Sequence, residues 1–159
     1  MLSKRQLFIG LDPGVKGAAA CIDVEGRAVE VLRFSKCTDC DVWEWLGKIC
    51  LDDEVRSLYL EDVSSSPQMG VVSAFTFGKG LGRLEAWSIA AGAIHAFPIH
   101  KVRPLKWQTL LRCKSGGNKN VTKSRAQKLF PALTITHEIA DALLIAEYAR
   151  QVTVGAIRK

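Results

Sequence analysis

The stretch Leu7-Phe8-Ile9-Gly10-Leu11-Asp12-Pro13-Gly14 decides how the rest of the chain is read. Five apolar residues in a row are far too few for a membrane span and suit a strand buried on both faces. The run ends on Asp12, and Pro13-Gly14 stops it in a turn. An acid at the end of a buried strand costs several kcal/mol unless something offsets its charge.

Three more acids stand in comparable settings. Glu61 closes the apolar run Leu58-Tyr59-Leu60, and Glu138 and Asp141 open the helical pattern Glu138-Ile139-Ala140-Asp141-Ala142-Leu143-Leu144. Residues three or four apart share a helix face, so one helix can supply two ligands, and His137 also shares a face with Asp141. Glu61 and Asp62 are adjacent, so strand alternation sends them to opposite faces and one of the two is solvated. Four gathered acids repel one another, and the usual compensation is a divalent cation with oxygen ligands. Singly, each acid has a plainer reading. Asp is common before Pro-Gly in turns, and Glu138 would favour the positive end of its helix. The set of four points to a metal centre.

The rest of the chain is basic, with 22 Lys+Arg against 16 Asp+Glu and a net charge of +6. An acidic centre on a basic protein points to chemistry on a polyanion. The basic residues are concentrated. Lys101, Arg103, Lys106, Arg112, Lys114, Lys119, Lys123, Arg125 and Lys128 follow one another with no acid among them, around the loop Gly116-Gly117-Asn118. Such a loop can track a phosphate backbone; the plainer alternative is a solvated basic face. Lys123, expected at a helix start, gains nothing from the helix dipole, which favours a phosphate role.

At 159 residues the expectation is a single domain over 1–159. No run approaches the ~20 apolar residues of a membrane helix. The opening Met1-Leu2-Ser3-Lys4-Arg5-Gln6 does not read as a secretory signal, so an intracellular, cytoplasmic protein is expected. Five cysteines are an odd number, and reduced thiols are the default there. Cys37-Thr38-Asp39-Cys40 is a lone Cys-x-x-Cys, whereas structural zinc normally needs a second pair.

Along the chain, residues 7–11, 17–24 and 28–34 read as three strands joined by short turns, an antiparallel meander. Asp41 is placed to cap a helix carrying Val42, Trp43, Leu46, Ile49 and Cys50 at helical spacing. A fourth strand follows at 57–61. A long mixed helical stretch runs over 71–96 with glycines at 78, 80 and 82, then a fifth strand over 97–102. Shorter helices are expected at 104–111, with Pro104 in the first turn, and at 122–130; a last helix covers 137–151. This order predicts an α/β fold with a mixed five-stranded sheet, three antiparallel strands then parallel ones, flanked by helices.

These segments resemble the RuvC-type Holliday junction resolvases of the RNase H-like nuclease superfamily, and most of all the branch found in bacteriophages. Gly10-Leu11-Asp12-Pro13-Gly14 looks like the first acidic strand and turn of that family, and Leu60-Glu61-Asp62-Val63 like its second acid. Phe75-Thr76-Phe77-Gly78-Lys79-Gly80-Leu81-Gly82 resembles its aromatic, glycine-rich stretch. Pro104-Leu105-Lys106-Trp107, Thr122-Lys123-Ser124 and Leu129-Phe130-Pro131 resemble its basic segment, and His137-Glu138-Ile139-Ala140-Asp141-Ala142-Leu143 its closing helix. The order and spacing of the pieces together carry the likeness. Gln108 stands where relatives often have Lys, and Lys106 or Arg103 is the candidate replacement.

The resemblance implies an RNase H-like fold and a crossover junction endodeoxyribonuclease that hydrolyses phosphodiesters in branched DNA. It implies two Mg2+ ions, replaceable by Mn2+, held by Asp12, Glu61, Glu138 and Asp141. His137 is the alternative third ligand; Glu138 is favoured because oxygen suits Mg2+ better than imidazole does. Lys123 is the candidate for balancing charge in the transition state. Phe75, Phe77, Lys79, Arg83, Arg103, Lys106, Lys114, Lys119, Lys123 and Arg125 are candidate DNA contacts. A two-fold symmetric junction calls for a homodimer, and the stripe Leu84, Trp87, Ala91 and Ile94 is its expected helix face. Two rivals belong to other classes. Actin-like ATPases and sugar kinases share the first strand, Asp and glycine turn but need about twice this length. A non-catalytic DNA-binding module would be expected to lack an acid. Within the nucleases, relaxed specificity for forks, flaps or replication intermediates is the alternative.

Overall fold

The computed structural model describes residues 4–157, and the side chains of 4–155. Among these, five strands form one sheet: β1 (Gln6–Asp12), β2 (Ala18–Asp23), β3 (Ala28–Arg33), β4 (Glu54–Glu61) and β5 (Ile99–Val102). The helices are α1 (Asp39–Asp52), α2 (Val71–His95), α3 (Pro104–Leu110), α4 (Lys119–Leu129) and α5 (His137–Ile157). The strand order is β3-β2-β1-β4-β5. β1, β2 and β3 pair antiparallel, while β4 pairs parallel with both β1 and β5. This is the mixed sheet expected from the order of elements.

Strand alternation sorts the side chains into two cores. On one face Phe8, Ala18, Ala20 and Ile22 pack against α3, α4 and α5, with the fully buried Trp107 among them. On the other, Leu7, Ile9, Leu11, Leu58 and Leu60 pack against α1 and α2. The central position of α5 depends on Gly10. A Cβ there would lie 2.3 Å from both the Ala142 carbonyl oxygen and the Ala146 nitrogen, so the helix rests directly on the strand backbone. Gly17 has a matching role in the turn after β1, where a Cβ would meet the Asp12 carbonyl oxygen at 2.0 Å.

Several boundaries differ from the sequence reading. α1 is capped by Thr38, not Asp41. Asp41 is the third helical residue, and the two exchange bonds in a capping box. On that helix Trp45 is buried and Trp43 is 40% exposed, the reverse of the expected apolar face, because Trp45 joins Val42, Leu46 and Ile49 over the sheet. β4 starts at Glu54 and α5 continues to Ile157. α4 begins at Lys119, capped by Asn118, whose side chain accepts from the Asn120 N–H at 3.1 Å. α2 is one continuous helix of 25 residues through its three glycines. Its expected dimer stripe splits. Leu84 and Ala91 are buried against the chain's own sheet, whereas Ile94 is 69% exposed. No helix among the described residues is long and apolar enough to cross a membrane.

Candidate active site

β1 and β4 are parallel neighbours that pair Leu11 with Leu60, so Asp12 and Glu61 end them side by side. Both follow residues that face α1 and α2, and alternation turns both acids toward α5. With α5 seated on Gly10, Asp141 in its second turn comes over the same strand ends. The structure therefore brings Asp12, Glu61 and Asp141 together from three separate segments. Asp62 goes the other way, to an exposed position 3.7 Å from Arg103.

Electrostatics mark the three acids as one group. The Asp12 carboxyl titrates well above its ordinary range, through burial and then the charges of Glu61 and Asp141. Burial pushes Glu61 up to about 7. A hydrogen bond from Trp107 opposes that rise, and Asp141 adds to it. Asp141 is raised by burial too, opposed by the Thr122 hydroxyl and by Lys119 and His137. The Trp107 Nε1–H donates to Glu61 Oε1 at 2.9 Å inside the protein. The Asp141 Oδ1 is buried with no hydrogen-bond partner. An orphaned carboxylate oxygen beside two acids that repel it is a donor set suited to a hard divalent cation. The side chains are not drawn to ligating distance, for no three His, Cys, Asp or Glu among the described residues form a closed cation site.

Glu138 and His137 lie at the N-terminus of α5 and line a cavity with Lys16, Asn118 and Lys119. His137 is exposed and Glu138 half-buried. The cation acting on all three clustered acids is Lys119, which lowers the pKa of each. Lys123 sits in the second turn of α4, half-buried. Lys119 is therefore the lysine at the start of α4, where a cation gains nothing from the helix dipole. Sequence reasoning placed Lys119 only among DNA contacts and gave Trp107 no role. The signal for Trp107 was available in principle, since a buried acid needs a donor and a buried indole needs an acceptor.

The basic segment is less free in space than in sequence. Lys101 pairs with Glu85 at 2.5 Å, Arg103 approaches Asp62, and Arg83 pairs with Asp39. Lys106, Lys114 and Lys79 are exposed, and Phe75 is 73% exposed while Phe77 is half-buried. Arg125 is half-buried, and its Nε has no partner.

No protein-family model matches this sequence, and no curated protein matches it significantly. Solved structures do. A Thermus thermophilus RuvC structure shares 17% identity over 94% of this chain and 96% of its own, with a TM-score of 0.64. T. thermophilus RuvC in complex with a Holliday junction substrate matches at 16% identity, 96% of each chain and a TM-score of 0.59. The yeast mitochondrial Holliday junction resolvase Ydc2 matches at 13% identity, over 98% of this chain and 82% of that one, with a TM-score of 0.57. The chain thus shares the fold of these resolvases along nearly its whole length.

Proposed function

We propose that this protein is a metal-dependent endonuclease that resolves four-way DNA junctions by paired phosphodiester hydrolysis. The observation that carries the reading is the meeting of Asp12, Glu61 and Asp141 at the ends of β1 and β4, with one buried oxygen left without a donor. It is supported by the shared fold with proteins that include RuvC in complex with a Holliday junction. The phage-type branch rests on the sequence resemblance alone, and an intracellular setting follows from the substrate.

Asp12, Glu61 and Asp141 would hold the cations, with Glu138 completing the set and His137 as the alternative. Two bound Mg2+ or Mn2+ ions would supply an activated attacking water and stabilisation of the departing 3′ oxygen. The chain's own residues set the conditions. Glu61 titrates near 7, so it must shed its proton to serve as a ligand. Trp107 holds that carboxylate in one orientation. Lys119 faces the charge that builds on the phosphoryl oxygens as the bond to phosphorus forms. Lys106, Lys114, Lys123 and Arg125 would take neighbouring phosphates, which position the DNA without reading it. Two matched cuts call for two copies, and the outward face of α2 around Ile89, 63% exposed, is where we place their contact.

The test is to incubate the protein with Mg2+ and end-labelled four-way junction, fork, flap and linear duplex, and to map the cuts. Symmetric incisions in the junction with 5′ phosphate and 3′ hydroxyl ends are expected. Equal cutting of forks and flaps would move the assignment to a structure-specific nuclease of relaxed range.

A further inference from the structure

Beside the acidic cluster, on the other face of the sheet, lies a cavity of about 180 Å³ between the turn after β1, the start of α1 and the middle of α2. Its walls include Val15, Phe34, Val42, Phe77, Leu84 and Trp87. Asp12, Ala18 and Arg33 form one row across the sheet. Phe34 follows that row and Gly14 lies two residues beyond Asp12, so the cavity opens at the same sheet end as the acids. Two residues of chain span at most about 7 Å. Arg83 and Asp39 pair in the wall, and the Arg83 Nε has no acceptor.

Resting on the junction-cutting reading, we propose that this cavity receives one unstacked pyrimidine base from a nucleotide flanking the cut. Three aromatic rings offer the stacking surfaces that hold single bases. The Arg83–Asp39 pair supplies a donor and an acceptor for the edge of the base. Lys16 and Lys79 are exposed and adjoin the lining residues Val15 and Gly80, where the flanking phosphates would run. Size selects the base. An apolar cavity of roughly 150 Å³ holds one benzene ring, so this one accommodates a single six-membered ring and not a fused purine. An occupied pocket would fix which phosphate lies over Asp12, and so give the enzyme a sequence preference at its cut.

Gly80 provides a clean way to close the pocket, since it lines the cavity and an added Cβ meets nothing within 4 Å. The experiment uses Asp12→Asn protein and four-way junctions carrying 2-aminopurine next to one pyrimidine at a time around the crossover, where its emission rises when that neighbouring pyrimidine leaves the stack. An emission change at one position, abolished by Gly80→Leu and retained in a Gly47→Leu control on α1, is the expected result. In the cleavable background, Gly80→Leu should lower cutting at the preferred sequence about tenfold and flatten the preference. The same emission change when that neighbouring pyrimidine is replaced by adenine would overturn the pyrimidine assignment. No positional response, with junction cleavage intact and unaltered by Gly80→Leu, would overturn the pocket while leaving the nuclease reading standing. A shift of Gly80→Leu from dimer to monomer would reassign the cavity to a side chain of the second copy. Absence of junction binding and cleavage in the unsubstituted protein would instead sink the reading on which the proposal rests.

Discussion

Trp107 and Glu61 are joined inside the protein by one hydrogen bond, Nε1 to Oε1 at 2.9 Å, and that bond ties the core to the acidic cluster. The indole is fully buried, so it cannot swing away from the acid. It favours the charged carboxylate, against the burial that drives the Glu61 pKa up to about 7. Trp107→Phe keeps an aromatic ring at that buried site, removes the donor and leaves a small cavity. The Glu61 pKa should then rise further, and the acid limb of the cleavage pH profile should move to higher pH by about one unit. An unmoved acid limb in Trp107→Phe would show that Glu61 is not a ligand whose ionisation limits the rate.

The same raised pKa has a consequence for stability. Between the ordinary 4.5 and about 7, the folded protein binds a proton on Glu61 that the unfolded chain releases. Stability of the metal-free protein therefore falls as pH rises through that window, and Asp12 and Asp141 act in the same direction. Thermal melts in chelator should give a higher Tm at pH 5 than at pH 8. Mg2+ should raise Tm at pH 8 and have little effect at pH 5, where the ligands are protonated.

Lys119, and not Lys123, acts on all three clustered acids. Lys119→Ala should lower kcat roughly 100-fold with junction affinity nearly preserved. Lys123→Ala should mainly weaken binding, as loss of a phosphate contact does. Single-turnover rates at saturating Mg2+ separate the two effects, and a larger rate loss in Lys123→Ala would return the role to the residue the sequence first suggested.

The choice between Glu138 and His137 as the remaining proposed ligand is tested by comparing Glu138→Ala with His137→Ala. Loss of Glu138 should raise the Mg2+ concentration needed for cleavage at least tenfold, and loss of His137 should change it little. Asp12→Asn provides the reference, with cleavage abolished and junction binding retained. Reversal of the first two would make the imidazole the ligand.

Ile89 tests the paired assembly. Ile89→Glu places a charge on the exposed face of α2 without touching the buried Leu84 and Ala91. Sedimentation equilibrium should show a dimer for the unsubstituted protein and a monomer for the variant, whose junction products should be single nicks. A monomer in both cases would remove the two-copy mechanism.

Order and periodicity along the chain determined the sheet. The apolar run into Asp12, the alternation at 28–34 and the second run into Glu61 were enough to place three antiparallel strands beside parallel ones, since burial and pleat act locally. The acids were legible for the same reason, because a charge closing an apolar run is costly wherever the run packs. The order of elements points to a gathering of the acids, but the contact that brings the last helix over the strand ends is not legible. Gly10 reads as an ordinary small residue until α5 is seen resting on it, and only that contact carries Asp141 over Asp12. The start of α4 also depended on a cap at Asn118, which moved the helix-start argument from Lys123 to Lys119. Lys101, Arg103 and Arg83 looked free because their partners Glu85, Asp62 and Asp39 are remote in sequence. α2 reads as one apolar stripe, yet the sheet claimed Leu84 and Ala91 and left Ile89 outside. Local sequence sets which residues are apolar, charged or turn-forming. Which of them meet is decided by long-range packing, where one missing Cβ on β1 determines how closely the last helix approaches the first strand.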